Sequence, residues 1–239
     1  MVFVSIPLGE NMLRDWDDLP DFMRIPEVRP YWEKLNKKRV QLMLKRGFDF
    51  AAASVLLILL AIPMIIIAII IKKDSKGPVF YRQERVTAYG KRFKIHKFRT
   101  MVVGADKLGS AITVGNDKRI TKLGSKLRKY RIDELPQLLD VVAGNMSFVG
   151  KRPEVVKYVR CYEPEYFATL LLPSGITSEA SIRFKDEAKL LSGVTNVDEV
   201  YVRDILPQKM KINLQSIRRF GLFSDFLTLI RTVVAVLSK

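Results

Sequence analysis

The stretch Arg131-Ile132-Asp133-Glu134-Leu135-Pro136-Gln137-Leu138-Leu139 sets two adjacent carboxylates directly after Arg128, Lys129 and Arg131. Leu135, Leu138, Leu139 and Val142 recur at the spacing of one helix face, so a helix is expected through them. Proline is tolerated only in a helix's first turn, which puts Asp133 at or next to the N-cap. There the helix dipole and the neighbouring cations hold a carboxylate ionised and favour a bound phosphate. An ordinary capping Asp followed by a first-turn Glu gives the same pattern, so the pair has to be read with its surroundings. The chain has one histidine, His96, and one cysteine, Cys161. That excludes a disulfide framework, a Cys-rich zinc module and a His-based metal cage, and leaves little room for a serine-hydrolase triad. His96 is expected as a plain strand residue and Cys161 as a small buried hydrophobe. Chemistry in this chain therefore runs on carboxylates, basic side chains and any metal ion they hold.

The elements that position the pair are legible around it. Apolar Ile120, Leu123, Leu127 and Tyr130 predict a helix just before it, preceded by a loop from Gly104 to Asn116. Residues 78–86 and 92–96 read as strands joined by a turn through Tyr89-Gly90-Lys91, and Phe98 interrupts the alternation, so a bulge or strand end is expected near Lys97. Upstream, Phe50 to Ile71 is 22 residues without a charge. A straight helix of that length measures about 33 Å, enough for a hydrocarbon core of about 30 Å. The run begins some fifty residues in, after an N-terminus (MVFVSIPLGENML) with no basic region, so it is read as a membrane segment and not as a secretory signal. Lys45-Arg46 and Lys72-Lys73 flank it almost equally, and Pro63 interrupts it. Composition alone leaves two topologies open: a kinked single span, or a helix-break-helix that returns to the side it entered. Residues 31–46 form a basic juxtamembrane helix, and residues 1–30 have mixed charge and no strong periodicity.

The 239-residue chain carries 41 Lys+Arg against 25 Asp+Glu, a net charge of +16. Residues 1–43 hold seven acids and seven bases, whereas residues 72–131 hold 18 bases and four acids. Such a stretch meets a polyanion: nucleic acid, anionic lipid or a phosphorylated substrate. No helix-turn-helix, RNP or zinc signature accompanies it, so nucleic acid is not the expected partner. A membrane-tethered polyanion binder or scaffold without catalysis remains the alternative to an enzyme. Leu222, Phe223, Phe226, Leu227, Ile230, Val233 and Val234 form an apolar C-terminal helix in which Asp225 and Arg231 argue against a second span, leaving a core or an interface-lying helix.

Five motifs in order carry a family resemblance: Lys45-Arg46-Gly47-Phe48-Asp49 entering the Pro63-interrupted segment; Lys97-Phe98-Arg99-Thr100-Met101; Asp133-Glu134-Leu135-Pro136-Gln137-Leu138; Gly144 through Pro153; and Gly175-Ile176-Thr177. From about Leu44 to the C-terminus the chain resembles the bacterial sugar transferases, the monotopic phosphoglycosyl transferases that start glycoconjugate assembly on polyprenol phosphate. The resemblance implies an α/β fold, mostly helical with a small β-hairpin or sheet, a re-entrant Pro-kinked helix and interfacial helices. The chain then divides into an extension at 1–43, a re-entrant helix at 44–73 and a cytoplasmic domain at 74–239. It implies a bacterial inner-membrane protein on the cytoplasmic face that passes a phospho-sugar from a UDP-sugar to polyprenol phosphate and releases UMP; a homodimer is compatible with it. Asp133 matches the family's nucleophile and Glu134 its Mg²⁺-binding partner. Arg128 and Arg152 match arginines near the phosphates, Lys97, Arg99 and Thr100 lie in a motif of the phosphate-binding region, and Lys45, Arg46 and Pro63 fall where the chain meets lipid. The chain departs at Lys151, where most relatives have proline, and at Ser178-Glu179-Ala180-Ser181 after the last motif.

Overall fold

The computed structural model describes residues 12–238 except 106–107, 109–111 and 115–116, so the loop expected at 104–116 lies partly outside the described residues. Ten helices are described: α1 (Arg29–Asn36), α2 (Arg39–Asp74), α3 (Lys122–Lys129), α4 (Leu138–Val142), α5 (Val156–Val159), α6 (Glu179–Arg183), α7 (Glu187–Leu190), α8 (Val197–Val200), α9 (Leu206–Arg218) and α10 (Leu222–Leu237). Strands β1 (Phe80–Val86) and β2 (Arg92–Phe98) form an antiparallel hairpin, and β3 (Met146–Val149) and β4 (Ser174–Thr177) a short parallel pair. The fold is thus mostly helical with two small sheets.

The hairpin turns where expected, with Tyr89 and Gly90 both at positive φ. No bulge interrupts β2. Phe80 stays opposite Phe98, the two rings stack with centroids 5.6 Å apart, and Lys97 pairs with Tyr81 in regular register. Of the two outcomes expected near Lys97, the strand end is the one found, since β2 stops at Phe98; beside it the Asp140 carboxylate of α4 accepts from the His96 backbone N–H (2.9 Å) and lies 2.8 Å from Nδ1. His96 is therefore a strand residue that locks β2 to α4. Cys161, expected to be buried, is exposed.

The juxtamembrane helix expected at 31–46 is broken at 37–38: its first part is α1 and its remainder opens α2, which runs on through the apolar segment, so the expected boundary at 43/44 falls inside α2. It remains helical across Pro63 instead of parting into two helices there. Arg46, Asp49, Ala53, Leu57, Leu60, Met64, Ile67 and Ile71 fall on one stripe of α2, and all of them pack on or bond to the rest of the domain. Ile58, Leu59, Ile62, Ile65 and Ile69 face away and are exposed. Among the described residues α2 is the one helix long and apolar enough to cross a membrane.

Both ends of α2 are fastened by charge. Lys45 and Arg46, expected at lipid head groups, turn inward and are 5% and 6% exposed. Lys45 pairs with Asp225 of α10 at 2.7 Å. Arg46 donates to the carbonyls of Val141 (2.8 Å) and Val142 (3.1 Å), where α4 ends and its dipole is negative. Asp49 accepts from Ser147 Oγ (2.7 Å) and the Phe148 N–H (3.3 Å). At the other end Arg99 donates to the carbonyls of Ile71 (3.3 Å), Ser75 (2.7 Å) and Lys76 (2.9 Å). A guanidinium suits this place because its fork of donors can satisfy several terminal carbonyls together.

The largest core lies beneath the segment without periodicity. Met12, Leu13, Leu19, Met23, Val28, Tyr31, Trp32 and Leu35 pack with Leu170, Leu171, Tyr201, Leu206, Met210 and Leu214. Trp32 Nε1 donates to the Arg14 carbonyl at 2.9 Å, and Trp16 meets Trp32 edge-on. The first described residues are thus an integral part of the domain.

Candidate active site

Asp133 and Glu134 sit in a 3-10 turn, Ile132–Gln137, that runs into α4. The turn is entered through Arg131, which takes a left-handed conformation (φ 57°) that costs a non-glycine residue energy. That reversal ends α3 and turns the two carboxylates back toward β2. Thr121 caps the start of α3 by accepting the Gly124 N–H at 2.9 Å. Gly124 itself leaves room for the Thr100 backbone, since a Cβ there would lie 2.0 Å from the Thr100 carbonyl oxygen.

Glu134 is caged. Lys97 Nζ lies 2.8 Å from its Oε1, Arg152 donates to both of its oxygens, and Arg131 approaches to 3.7 Å. Burial alone would raise its carboxyl pKa, but Arg152 and Lys97 overwhelm that and hold it well below the usual carboxylate range. Asp133 meets the opposite balance. Burial outweighs Lys97, Arg128 and Arg131, and the Glu134 charge adds to it, so the Asp133 pKa is raised. The expectation that the helix N-terminus and basic neighbours dominate at Asp133 is therefore corrected: it is less easily ionised than a free aspartate. Its Oδ1 is buried with no partner among the described residues. Burial likewise lowers the Lys97 pKa to about 8, despite the attraction of Glu134.

These side chains line a cavity of about 810 Å³ that also holds Arg85, Arg128, Lys185, Lys209 and Thr100 in its wall. Arg128 donates to Thr113 Oγ1 at 2.7 Å. The structure thus brings together Asp133, Glu134, Lys97, Arg128 and Arg152, with Thr100 in the adjoining wall. Arg99 also lines the cavity, with its guanidinium bonded to the carbonyls at the end of α2. Arg85 was missed by the sequence reading. Its Nη1 donates to the Pro153 carbonyl (3.0 Å) and its Nη2 to Gln83 Oε1 (2.5 Å), which fixes the loop carrying Arg152. One more arginine in a stretch of 18 bases gives no local signal.

That loop is held from beneath where the chain leaving β3 crosses close over Gly175 of β4. A Cβ on Gly175 would lie 2.1 Å from the Gly150 nitrogen, so neither residue could carry a side chain at this contact. The Gly150 N–H donates to the Thr177 carbonyl and the Gly175 N–H to the Lys151 carbonyl, closing the pair.

The donor set bears on a metal ion. Among the described residues no group of three or more His, Cys, Asp or Glu side chains converges, so no closed protein cage exists. Two adjacent carboxylates with one unpartnered oxygen do fit Mg²⁺, which keeps several waters and takes remaining ligands from substrate phosphates.

Two carboxylates thus share a cavity with several cationic side chains, in a domain that carries one helix long and apolar enough to cross a membrane. The model of the bacterial sugar transferase family matches residues 40–239. The chain is 32% identical over 200 residues to the UDP-N-acetylgalactosamine-undecaprenyl-phosphate N-acetylgalactosaminephosphotransferase of Aeromonas hydrophila, covering 82% of this chain and 44% of that protein. It is 34% identical over 197 residues to a UDP-glucose:undecaprenyl-phosphate glucose-1-phosphate transferase of Caulobacter vibrioides, covering 81% and 70%. A UDP-glucose:undecaprenyl-phosphate glucose-1-phosphate transferase of Escherichia coli is 33% identical over 220 residues, covering 90% and 44%. The chain belongs to the bacterial sugar transferase family. It spans less than half the length of the Aeromonas and Escherichia relatives.

Proposed function

We propose that this chain transfers a phospho-sugar from a UDP-sugar to polyprenol phosphate, giving a polyprenyl diphosphosugar and UMP. The reading rests above all on Asp133, whose Oδ1 is buried without a partner in a cavity lined by Lys97, Arg128 and Arg152. An Asp133 oxygen attacks the phosphorus that bears the sugar, and the P–O bond to the uridine monophosphate breaks. UMP leaves with that bond's electron pair, and the phospho-sugar is held as an acyl phosphate. An anionic oxygen of polyprenol phosphate then attacks the same phosphorus and frees the Asp133 carboxylate. Neither step needs a proton donor, in keeping with a site that has no histidine.

Arg128 and Arg152 balance the charge of the diphosphate, and Lys97 with Arg152 fixes Glu134. Asp133 and Glu134 are the residues that would hold Mg²⁺. Bound there, the ion supplies Lewis-acid neutralisation of the phosphoryl oxygens. The raised pKa of Asp133 is what burial among carboxylates predicts before substrate arrives. Both ends of α2 are bonded to one domain, which supports a helix that enters and leaves on the same, cytoplasmic, face.

The test is covalent. Purified protein given a UDP-sugar and Mg²⁺ without lipid acceptor should release UMP and gain one phospho-sugar mass on the peptide containing Asp133. Asp133→Asn should lose both the adduct and turnover, by at least about 10³-fold, while keeping its melting temperature within a few degrees. Turnover through a ternary complex, with no adduct under trapping conditions, would overturn the nucleophile assignment. A panel of UDP-glucose, UDP-N-acetylglucosamine, UDP-N-acetylgalactosamine and UDP-galactose reads the sugar.

A further inference from the structure

The cavity that holds the carboxylates does not end at its charged wall. It continues to Leu56 and Leu60 on α2 and, facing them, to Ala235 and Val236 near the end of α10. Phe148 of β3 and Ile176 of β4 lie in the same wall between the two helices. The far wall is held in place by polar contacts at its own base: Thr232 Oγ1 lies 2.7 Å from Thr177 Oγ1, and Thr228 donates to Glu179 at 2.9 Å. Both helices turn strongly apolar, exposed residues away from the cavity, Ile58 and Leu59 on α2 and Val233, Val234 and Leu237 on α10. One continuous space therefore has a cationic end, an apolar end, and outer walls that suit hydrocarbon.

A nucleotide sugar has no use for the apolar end, where burying its hydroxyls without partners would cost free energy. An amphiphile with a phosphate head and a hydrocarbon tail matches both ends in order. We infer that the groove between Leu56 and Leu60 of α2 and Ala235 and Val236 of α10 receives the first isoprene units of the polyprenyl phosphate acceptor. This assignment rests on the transfer reaction proposed above. It gives α10 a part in acceptor recognition that its sequence, read as core or interface-lying, did not suggest. The charged residues then set the depth of the phosphate and the two helices set the direction in which the tail leaves.

Filling the groove tests this. Ala235→Trp places a large ring in the apolar end, and Val234→Trp adds the same ring on the outer face of α10 as a control. Steady-state kinetics in detergent with undecaprenyl phosphate and UDP-sugar should show the acceptor KM rising at least tenfold in Ala235→Trp. The UDP-sugar KM should stay within twofold of wild type, and Val234→Trp should match wild type in both. Leu60→Phe, from the opposite wall, should raise the acceptor KM in the same selective way, and it decides the matter should Ala235→Trp fail to fold. An unchanged acceptor KM in these variants, or a rise confined to the UDP-sugar KM, overturns the assignment. Failure of the wild-type protein to release UMP from any UDP-sugar would instead overturn the reaction itself, so the two failures are read separately.

Discussion

Lys151 offers a quantitative test of how this domain carries charge in its interior. The side chain is 7% exposed, and its Nζ is buried with no hydrogen-bond partner among the described residues. Its neighbours are the Tyr162 ring, with the centroid 5.9 Å away, and the charges of Glu154 and Arg85. Burial lowers its pKa to about 8 from an ordinary 10.5, with Glu154 only partly compensating and Arg85 adding to the shift. Each pKa unit corresponds to about 1.4 kcal/mol, so the charged form costs the folded state roughly 3 kcal/mol. Lys151→Met keeps the length and packing while removing the ammonium; the lost cation–π contact returns about 1 kcal/mol of that. A net stabilisation of about 2 kcal/mol at pH 7 should follow, or a melting temperature higher by about 4–8 °C for a chain of this size.

The pH dependence has a definite sign. A base with a depressed folded pKa binds its proton less well when folded, so the wild type loses stability as pH falls from 10.5 to about 8. Below about 8 the cost is complete and constant. The gap between Lys151→Met and wild type should therefore be widest at and below pH 7 and shrink steadily toward pH 10. Differential scanning fluorimetry in one detergent across that range measures it. A destabilised Lys151→Met at pH 7, or a gap that does not change between pH 7 and pH 10, would refute the reasoning.

Three further outcomes are expected. Arg99→Ala should lower the melting temperature, at a cost of about 2–4 kcal/mol from the orphaned carbonyls at the end of α2, while the UDP-sugar KM of the folded fraction stays within threefold of wild type; a selective rise in that KM would show a phosphate role. Gly175→Ala should abolish stable folding or cost more than about 3 kcal/mol, since its Cβ would meet the Gly150 backbone, and a melting temperature equal to wild type would show that the crossing relaxes freely. Cys161, the single thiol and exposed, should resist a membrane-impermeant maleimide in intact cells and react after permeabilisation, as should Gln41→Cys and Lys76→Cys in a Cys161→Ser background; labelling of Gln41→Cys or Lys76→Cys alone from outside would replace the proposed topology with a spanning helix.

What the sequence by itself determined is what depends on neighbours along the chain. A run of 22 uncharged residues has to find a low-dielectric environment, and Tyr89-Gly90 has to turn a hairpin. Asp133-Glu134-Leu135-Pro136 marks the approach to a helix, although Asp133 is not its cap: the stretch is a 3-10 turn with Arg131 at the N-cap, and α4 begins only at Leu138. The pairing of Asp133 and Glu134 with Lys97, Arg128 and Arg152 was legible because five ordered motifs accompany it. Only the tertiary structure decided where the other charges go. Lys45, Arg46 and Arg99 look like lipid or phosphate ligands in a basic chain, yet each reaches a group inside the protein: the Asp225 carboxylate for Lys45, terminal helix carbonyls for the two arginines. Nothing local distinguishes an arginine that will meet a phosphate from one that will meet a carbonyl; both partners are oxygen acceptors brought near by packing. The same holds for Asp133, whose raised pKa comes from burial under distant elements and outweighs the dipole and cations visible nearby. Residues 12–36 entered the main core without any periodicity, because short turns bury single side chains at irregular intervals and leave no repeating pattern to read.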